Sequence, residues 1–416
     1  MKNLIPIENV RKAALRLSDV ALKTPLALNI NASSRYDASV YYKREDFQQV
    51  RSYKIRGAYN KIASLNKSEL EHGVVCASAG NHAQGVAFSC NKMKVKGVVF
   101  MPTPTPKQKI EQVNMFGGEY ITIVLIGDTY DDASEKALQY CKEYQMTFVH
   151  PFNDEKVIEG QATIALELLE QSNVPIDYLF LPVGGGGVAS GISSVFNELS
   201  PSTKIIGVEP EGAPSMSTSI KYGVNTKIDK IDKFVDGAAV QKVGDINFQI
   251  CQAFLSSMTT VSEGMVCKTI LDLYNKDAIV VEPAGALTVS VLDQFKEEVK
   301  GKNVVCLISG SNNDITRTEE IKERALLYEG MKHYFVVKFP QRAGALKEFV
   351  ADILGPNDDI THFEYTKKHN RNMGPAVVGV ELDNSSTFSA LQKRMKDKGF
   401  FGEYLNEKPD LFQFLV

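Results

Sequence analysis

Six short stretches of this sequence are apolar and do not alternate with polar residues, Thr122 being the one exception, at residues 74–77, 97–101, 120–124, 178–183, 205–208 and 304–308. A strand half exposed to water alternates apolar and polar residues, whereas one covered on both faces does not alternate. Continuous apolar runs of this length therefore predict a mainly parallel open sheet with helices on both faces. Between the runs, residues 133–142 and 155–169 place apolar side chains three and four apart, the spacing of amphipathic helices. The first three quarters of the chain are α/β.

Near Gly330 the pattern changes. Residues 333–339, 360–365, 375–382 and 411–416 read as strands, and residues 343–354 and 385–395 as helices. The order β-α-β-β-α-β predicts a small α+β ferredoxin-like domain. No Gly/Ser-rich or Pro-rich tether joins the parts, and the charged residues 319–329 read as a helix leading into the second. The expected domains are residues 1–329 and 330–416.

Composition narrows the function. Forty-seven Lys and Arg against 50 Asp and Glu leave a net charge of −3 in 416 residues. That balance offers no basic field for nucleic acid and no polybasic patch for a membrane surface. No apolar run approaches the ~20 residues of a membrane span, and the N-terminus lacks a secretory pattern. The six cysteines lie scattered, without Cys-x-x-Cys spacing, and Cys76 and Cys306 read as small core residues. The expected setting is the cytoplasm.

Four local patterns carry chemistry. The first is Ser52-Tyr53-Lys54-Ile55-Arg56-Gly57-Ala58, at a helix start. Most lysines are solvated charges. A lysine at a helix N-terminus beside Arg56 instead meets positive potential, which lowers the amine pKa and makes it a better nucleophile. The second is Ser78-Ala79-Gly80-Asn81-His82, between a buried strand and a helix. Its backbone N–H groups suit an anion, and Ser78 or Asn81 could equally serve as a plain helix cap. His82 reads as packed or capping rather than as a base.

The third is Gly184-Gly185-Gly186-Gly187-Val188, after the 178–183 run. Four glycines let the backbone wrap an oxyanion closely, ahead of a helix N-terminus. A P-loop is excluded, because no Lys-Ser or Lys-Thr follows. A dinucleotide site competes, since Gly184, Gly186 and Ala189 fit G-x-G-x-x-A and Glu209 ends the next run. The fourth is Ser309, just past the 304–308 run, where its hydroxyl either reaches a ligand or caps the next helix.

Together and in this order, these motifs resemble the pyridoxal-phosphate enzymes of the tryptophan-synthase-β fold, and most closely the biosynthetic threonine dehydratases. The resemblance runs the length of the chain. It includes Lys43-Arg44-Glu45-Asp46, Asp236-Gly237-Ala238-Ala239-Val240 and Glu282-Pro283-Ala284-Gly285-Ala286, with an ACT-like regulatory domain at the C-terminus. The resemblance implies that Lys54 holds pyridoxal 5'-phosphate as a Schiff base and that Asn81 bonds its phenolic oxygen. It also implies that Gly184, Gly185, Gly186, Gly187 and Val188 cradle the phosphate, while Ser309 meets the pyridine nitrogen. Ser78, Ala79, Gly80 and His82 would grip the substrate carboxylate.

The implied reaction is β-elimination from L-threonine to 2-oxobutanoate and ammonia, the first step of isoleucine biosynthesis. Isoleucine or valine is the implied effector, and a homo-oligomer, a tetramer, the implied assembly. Racemases of this fold carry a serine where this chain has Ala79, so racemisation is expected to be poor. They also bind a divalent cation through an acid where this chain has Ser215, so no metal is expected despite Glu209. L-serine dehydration or racemisation remains the alternative within the fold. Outside it stand a dinucleotide-dependent oxidoreductase and a non-catalytic amino-acid sensor.

Overall fold

A computed structural model describes residues 5–365 and 373–408. The chain divides into two compact units, Met1–Asp314 and Ile315–Val416, so the helix Thr318–Tyr328 groups with the second.

The strands of the first unit are, in chain order, β1 (Leu26–Leu28), β2 (Ser39–Arg44), β3 (Val74–Ala77), β4 (Gly97–Met101) and β5 (Ile121–Leu125), followed by β6 (Thr147–Phe148), β7 (Tyr178–Pro182), β8 (Lys204–Pro210), β9 (Ser257–Val261) and β10 (Asn303–Ile308). They form two sheets, β1-β2-β10-β7-β8-β9 and β5-β4-β3-β6. Every pairing is parallel except that of β1 with β2. Strands β3, β4 and β7 are buried along their whole length, and β8 and β10 everywhere but their first residue. That is the burial their unbroken apolar sequences require. β5 departs from the expectation: it lies at a sheet edge, with Thr122 and Leu125 exposed, so only part of its apolar run is covered.

Helices cover both sheets. Their buried faces form one core around Ile164, Leu179, Val195 and Leu307 and another around Cys76, Val86, Val99 and Met101. The helices Lys54–Ala63 and Glu155–Gln171 cross in close contact. A Cβ at Gly160 would lie 2.5 Å from the carbonyl oxygen of Arg56, and one at Gly57 would lie 2.8 Å from that of Val157. Only glycine permits that approach, and it seats the N-terminus of the first helix firmly on the second.

The second unit contains β11 (Lys332–Pro340), β12 (Asp359–Tyr365), β13 (Met373–Glu381) and β14 (Phe401–Tyr404) in one antiparallel sheet of order β12-β13-β11-β14. The helical segments Ala345–Glu348 and Phe349–Ile353 follow β11, and the helix Phe388–Asp397 follows β13. Phe335, Phe349, Leu391 and Phe400 fill its core. The β-α-β-β-α-β order holds. The strand expected at residues 411–416 lies outside the described residues, and β14 takes the fourth place in the sheet.

Candidate active site

Three of the four chemical patterns sit at the carboxyl ends of parallel strands, where open α/β sheets bind ligands. β3 leads into Ser78–Asn81, β7 into the glycine loop, and β10 into Ser309. The helix Lys54–Ala63 brings the fourth to the same place: Tyr53 N–H donates to the Ser309 carbonyl, and Ser52 bridges to Gly310. Lys54, Asn81, Gly184 and Ser309 line one small cavity, joined by Glu282 and Ala238.

Lys54 is the first residue of its helix, and no side chain caps that end. Its Nζ donates to the Pro151 carbonyl at 3.0 Å. Burial brings the amine pKa down to about 8, against the opposing pull of Glu282. Arg56, expected from sequence to help depress it, does something else. Its guanidinium is taken up by Glu45 at 2.8 Å and Glu167 at 2.6 Å inside a buried ionic network that also holds Lys43. Desolvation is the main cause of the Lys54 shift.

Asn81 opens the helix Asn81–Met93. Its Nδ2 donates to Glu282 Oε1 at 2.6 Å, and its Oδ1 accepts from Asn312 Nδ2 at 2.6 Å. Glu282 precedes Pro283 at the start of the helix Pro283–Ser290 without capping it, which leaves its carboxyl free to face Asn81. Burial pushes that carboxyl up to about 7, helped by Asp236, while Asn81, Lys109 and Lys54 pull it down.

The residues present fit pyridoxal phosphate. Among the described residues, the backbone N–H groups of 184–188 donate to no protein acceptor, leaving a row of donors at the start of the helix Gly187–Leu199. Gly186 has φ 90°, a conformation side chains strain to adopt, and a Cβ at Gly185 would lie 2.2 Å from the Phe152 ring. The Asn247 amide pins the loop by donating to the Gly185 carbonyl at 2.7 Å. Ser309 is buried, and the next helical turn begins only at Ile315, so its hydroxyl is no helix cap. A lone amine, a row of amide donors and a buried hydroxyl suit a carbonyl, a phosphate and a ring nitrogen in turn.

Ser78, Ala79, Gly80 and His82 do not line the cavity itself. The Ser78 hydroxyl accepts from the Gly80 N–H at 3.2 Å. His82 Nε2 donates to the Val149 carbonyl at 2.8 Å, and burial drives the ring pKa to about 3, helped by Lys54. His82 is a packed, neutral ring, as its sequence position suggested. Glu209 is buried and accepts from the N–H groups of Met216 at 2.6 Å and Ser217 at 2.9 Å, while Ser215 Oγ donates to the Val240 carbonyl.

Two contributors had no assigned part in the sequence reading. Glu282 stood in a recognised motif, but a glutamate before proline at a helix start reads simply as a boundary. The segment His150-Pro151-Phe152 follows the two-residue strand β6, too short to register as periodicity. It supplies the acceptor for Lys54 and the ring against Gly185. His150 Nδ1 accepts the N–H groups of Phe152 and Asn153, which fixes that turn.

Comparison with known proteins places this constellation. Residues 17–310 match the pyridoxal-phosphate dependent enzyme family, and residues 323–415 match the C-terminal regulatory domain of threonine dehydratase. Over 412 residues, 99% of either chain, it is 53% identical to the L-threonine dehydratase biosynthetic IlvA of Halalkalibacterium halodurans. The chain belongs to the biosynthetic threonine dehydratases. The Bacillus subtilis threonine dehydratase of the same name is 51% identical over 414 residues, 100% of this chain and 98% of that one. The processed threonine deaminase isoform 2 of Solanum lycopersicum superposes with TM-score 0.74 at 38% identity, covering 77% of this chain and 88% of that one.

As a threonine dehydratase, the chain is a pyridoxal-phosphate-dependent lyase with a C-terminal regulatory domain. The dinucleotide and sensor readings fall away with that match. Among the described residues, no helix is long and apolar enough to cross a membrane.

Proposed function

We propose that the first unit dehydrates L-threonine to 2-oxobutanoate and ammonia at the Lys54 cavity. The observation that carries this reading is the convergence of the depressed Lys54 amine with Asn81, the glycine loop and Ser309 around one cavity. In it, Lys54 binds the cofactor covalently through Nζ, Asn81 donates to its phenolic oxygen, residues 184–188 hold its phosphate, and Ser309 meets its ring nitrogen. When bound, pyridoxal phosphate delocalises the negative charge left at the substrate Cα.

The chain's own residues do the rest. A free amine with pKa near 8 leaves roughly one lysine in ten uncharged at neutral pH, so Lys54 is able to take the Cα proton. The open donors at the start of the helix Asn81–Met93 hold the substrate carboxylate, with Ser78, Ala79, Gly80 and His82 shaping that turn. Ser309 offers a neutral hydroxyl where an acid would impose a positive charge. With a neutral Ser309 there, loss of the β-hydroxyl would be favoured over transamination, and Lys54, once it holds the Cα proton, would be placed to protonate the departing hydroxyl. Ala79 has no proton to give on the opposite face, which disfavours racemisation.

The second unit is the regulatory domain in this reading, binding isoleucine, or valine with opposite effect. A homotetramer in the cytoplasm is the proposed assembly and setting. Assay of the purified holoenzyme with L-threonine and L-serine, with and without isoleucine, tests the proposal. The expected result is 2-oxobutanoate as main product, little D-serine, and a rate that falls with isoleucine. D-serine as main product, or no 2-oxobutanoate, would contradict it.

A further inference from the structure

The steps assigned to Lys54, Asn81 and Ser309 leave Glu282 without a task, yet its carboxyl is buried beside all of them. Burying a carboxyl is costly unless it is partnered. The Asn81 amide has two N–H donors and one acceptor oxygen. Asn312 supplies the donor to that oxygen at 2.6 Å, and Glu282 takes one N–H at 2.6 Å. Turning the amide over would set its NH2 against the Asn312 NH2 and its oxygen against a carboxylate. Both contacts would become repulsive, so one orientation survives, with a single N–H left over.

We propose that Glu282 is a positioning residue: with Asn312 it locks the Asn81 amide so that the remaining N–H is aimed at the cofactor's phenolic oxygen, and its charge tunes the electron density there. This rests on the assignment of Asn81 to that oxygen. The charged and titratable groups facing Glu282 are Lys54 and Tyr53 from the helix start, Lys109 from the helix Lys107–Gly117, and Asp236 from the loop between the helices Ser215–Tyr222 and Asp245–Phe254. Lys109 and Asp236 are themselves paired at 2.6 Å, so in the cofactor-free chain Lys54 is the cation that faces Glu282 without a carboxylate of its own, and its bond to the cofactor removes that free ammonium. Burial and Asp236 raise the Glu282 carboxyl to about 7, so it changes charge in the neutral range. A charge appearing on the far side of the Asn81 amide, two hydrogen bonds from the phenolic oxygen, is expected to register in the cofactor's visible absorption, with no substrate present.

The test uses the holoenzyme and its E282Q, E282A, N81A and E282A/N81A variants. The visible band is titrated across about pH 6 to 8, and pyridoxal phosphate is titrated back into the resolved proteins. In the wild type the band is expected to shift with a midpoint near 7. The amide introduced by E282Q still accepts from Asn81, so cofactor affinity should stay within about twofold while the midpoint disappears. E282A should weaken cofactor binding about tenfold, and adding N81A should weaken it little further, because the two residues act as one unit. A wild-type affinity in E282A beside a weakened N81A would overturn the role of Glu282 and leave that of Asn81 standing, as would fully additive losses. Wild-type affinity in N81A would remove the Asn81 assignment itself, and the inference with it.

Discussion

Burial of the Lys54 amine carries a cost in stability that its proposed role would repay. Desolvation favours the neutral form and so drops the pKa to about 8 from 10.5. Without cofactor, the folded chain therefore binds this proton less tightly than the unfolded chain does. Between pH 8 and 10.5 the unfolded state carries more protons, so stability rises with pH across that window, and the cost is complete below it. Lys54→Met removes the cost. The apoprotein variant is expected to be more stable than wild type at pH 7 by on the order of 2 kcal/mol in urea unfolding. That gap should close as pH climbs from about 8 towards 10.5. A variant less stable than wild type at pH 7 would contradict the assignment of desolvation as the cause. Lys54 is legible as a candidate because it opens a helix, but burial, not its neighbour Arg56, is the main cause of its low pKa. Sequence spacing put Arg56 beside it, whereas Glu45 and Glu167, distant in sequence, neutralise that guanidinium.

Whole elements are held in register by that same network. Arg56, at 1% side-chain exposure, ties the Lys54–Ala63 helix to Glu45 behind β2 and to Glu167 on the Glu155–Gln171 helix. Lys43 on β2 is fully buried and also meets Glu167. Deleting one charge of such a set strands the others, at a cost of about 3 to 5 kcal/mol. Arg56→Ala is therefore expected to lose that much in urea unfolding and to weaken cofactor binding as the Lys54 helix loosens. A loss below about 1 kcal/mol would show that the network does not anchor the helix. The same residues explain why β2 leaves no strand signature in the sequence. Tyr41, Tyr42, Lys43 and Arg44 look like surface, and only long-range ion pairing allows Lys43 inside. β9, with Ser257, Thr259 and Thr260 along an edge, is silent for the opposite reason: it buries little. The central apolar strands needed no partner to be recognised, because being covered on both faces leaves a mark within the strand itself.

At the scale of the molecule, the sequence separated a catalytic part from a regulatory one through a change of pattern near Gly330, while the compact units part at Asp314. The difference is the helix Thr318–Tyr328. It buries Ile321 and Ala325 and joins the second unit through Glu323, which accepts from Tyr334 at 2.7 Å and pairs with Lys332 at 3.3 Å. Its charged residues make it read as a connector in the sequence. The division of parallel strands between two sheets was equally hidden, since pairing partners are set by topology and not by composition. What the sequence carries is a set of motifs from distant parts of the chain, and residues from all four line one small cavity around the Lys54 amine. Borohydride reduction of the holoenzyme, followed by digestion and mass spectrometry, tests that convergence most directly. The account predicts one reduced pyridoxyl phosphate adduct per chain, on Lys54. An adduct on another lysine, or none in an enzyme that still turns over threonine, would contradict it.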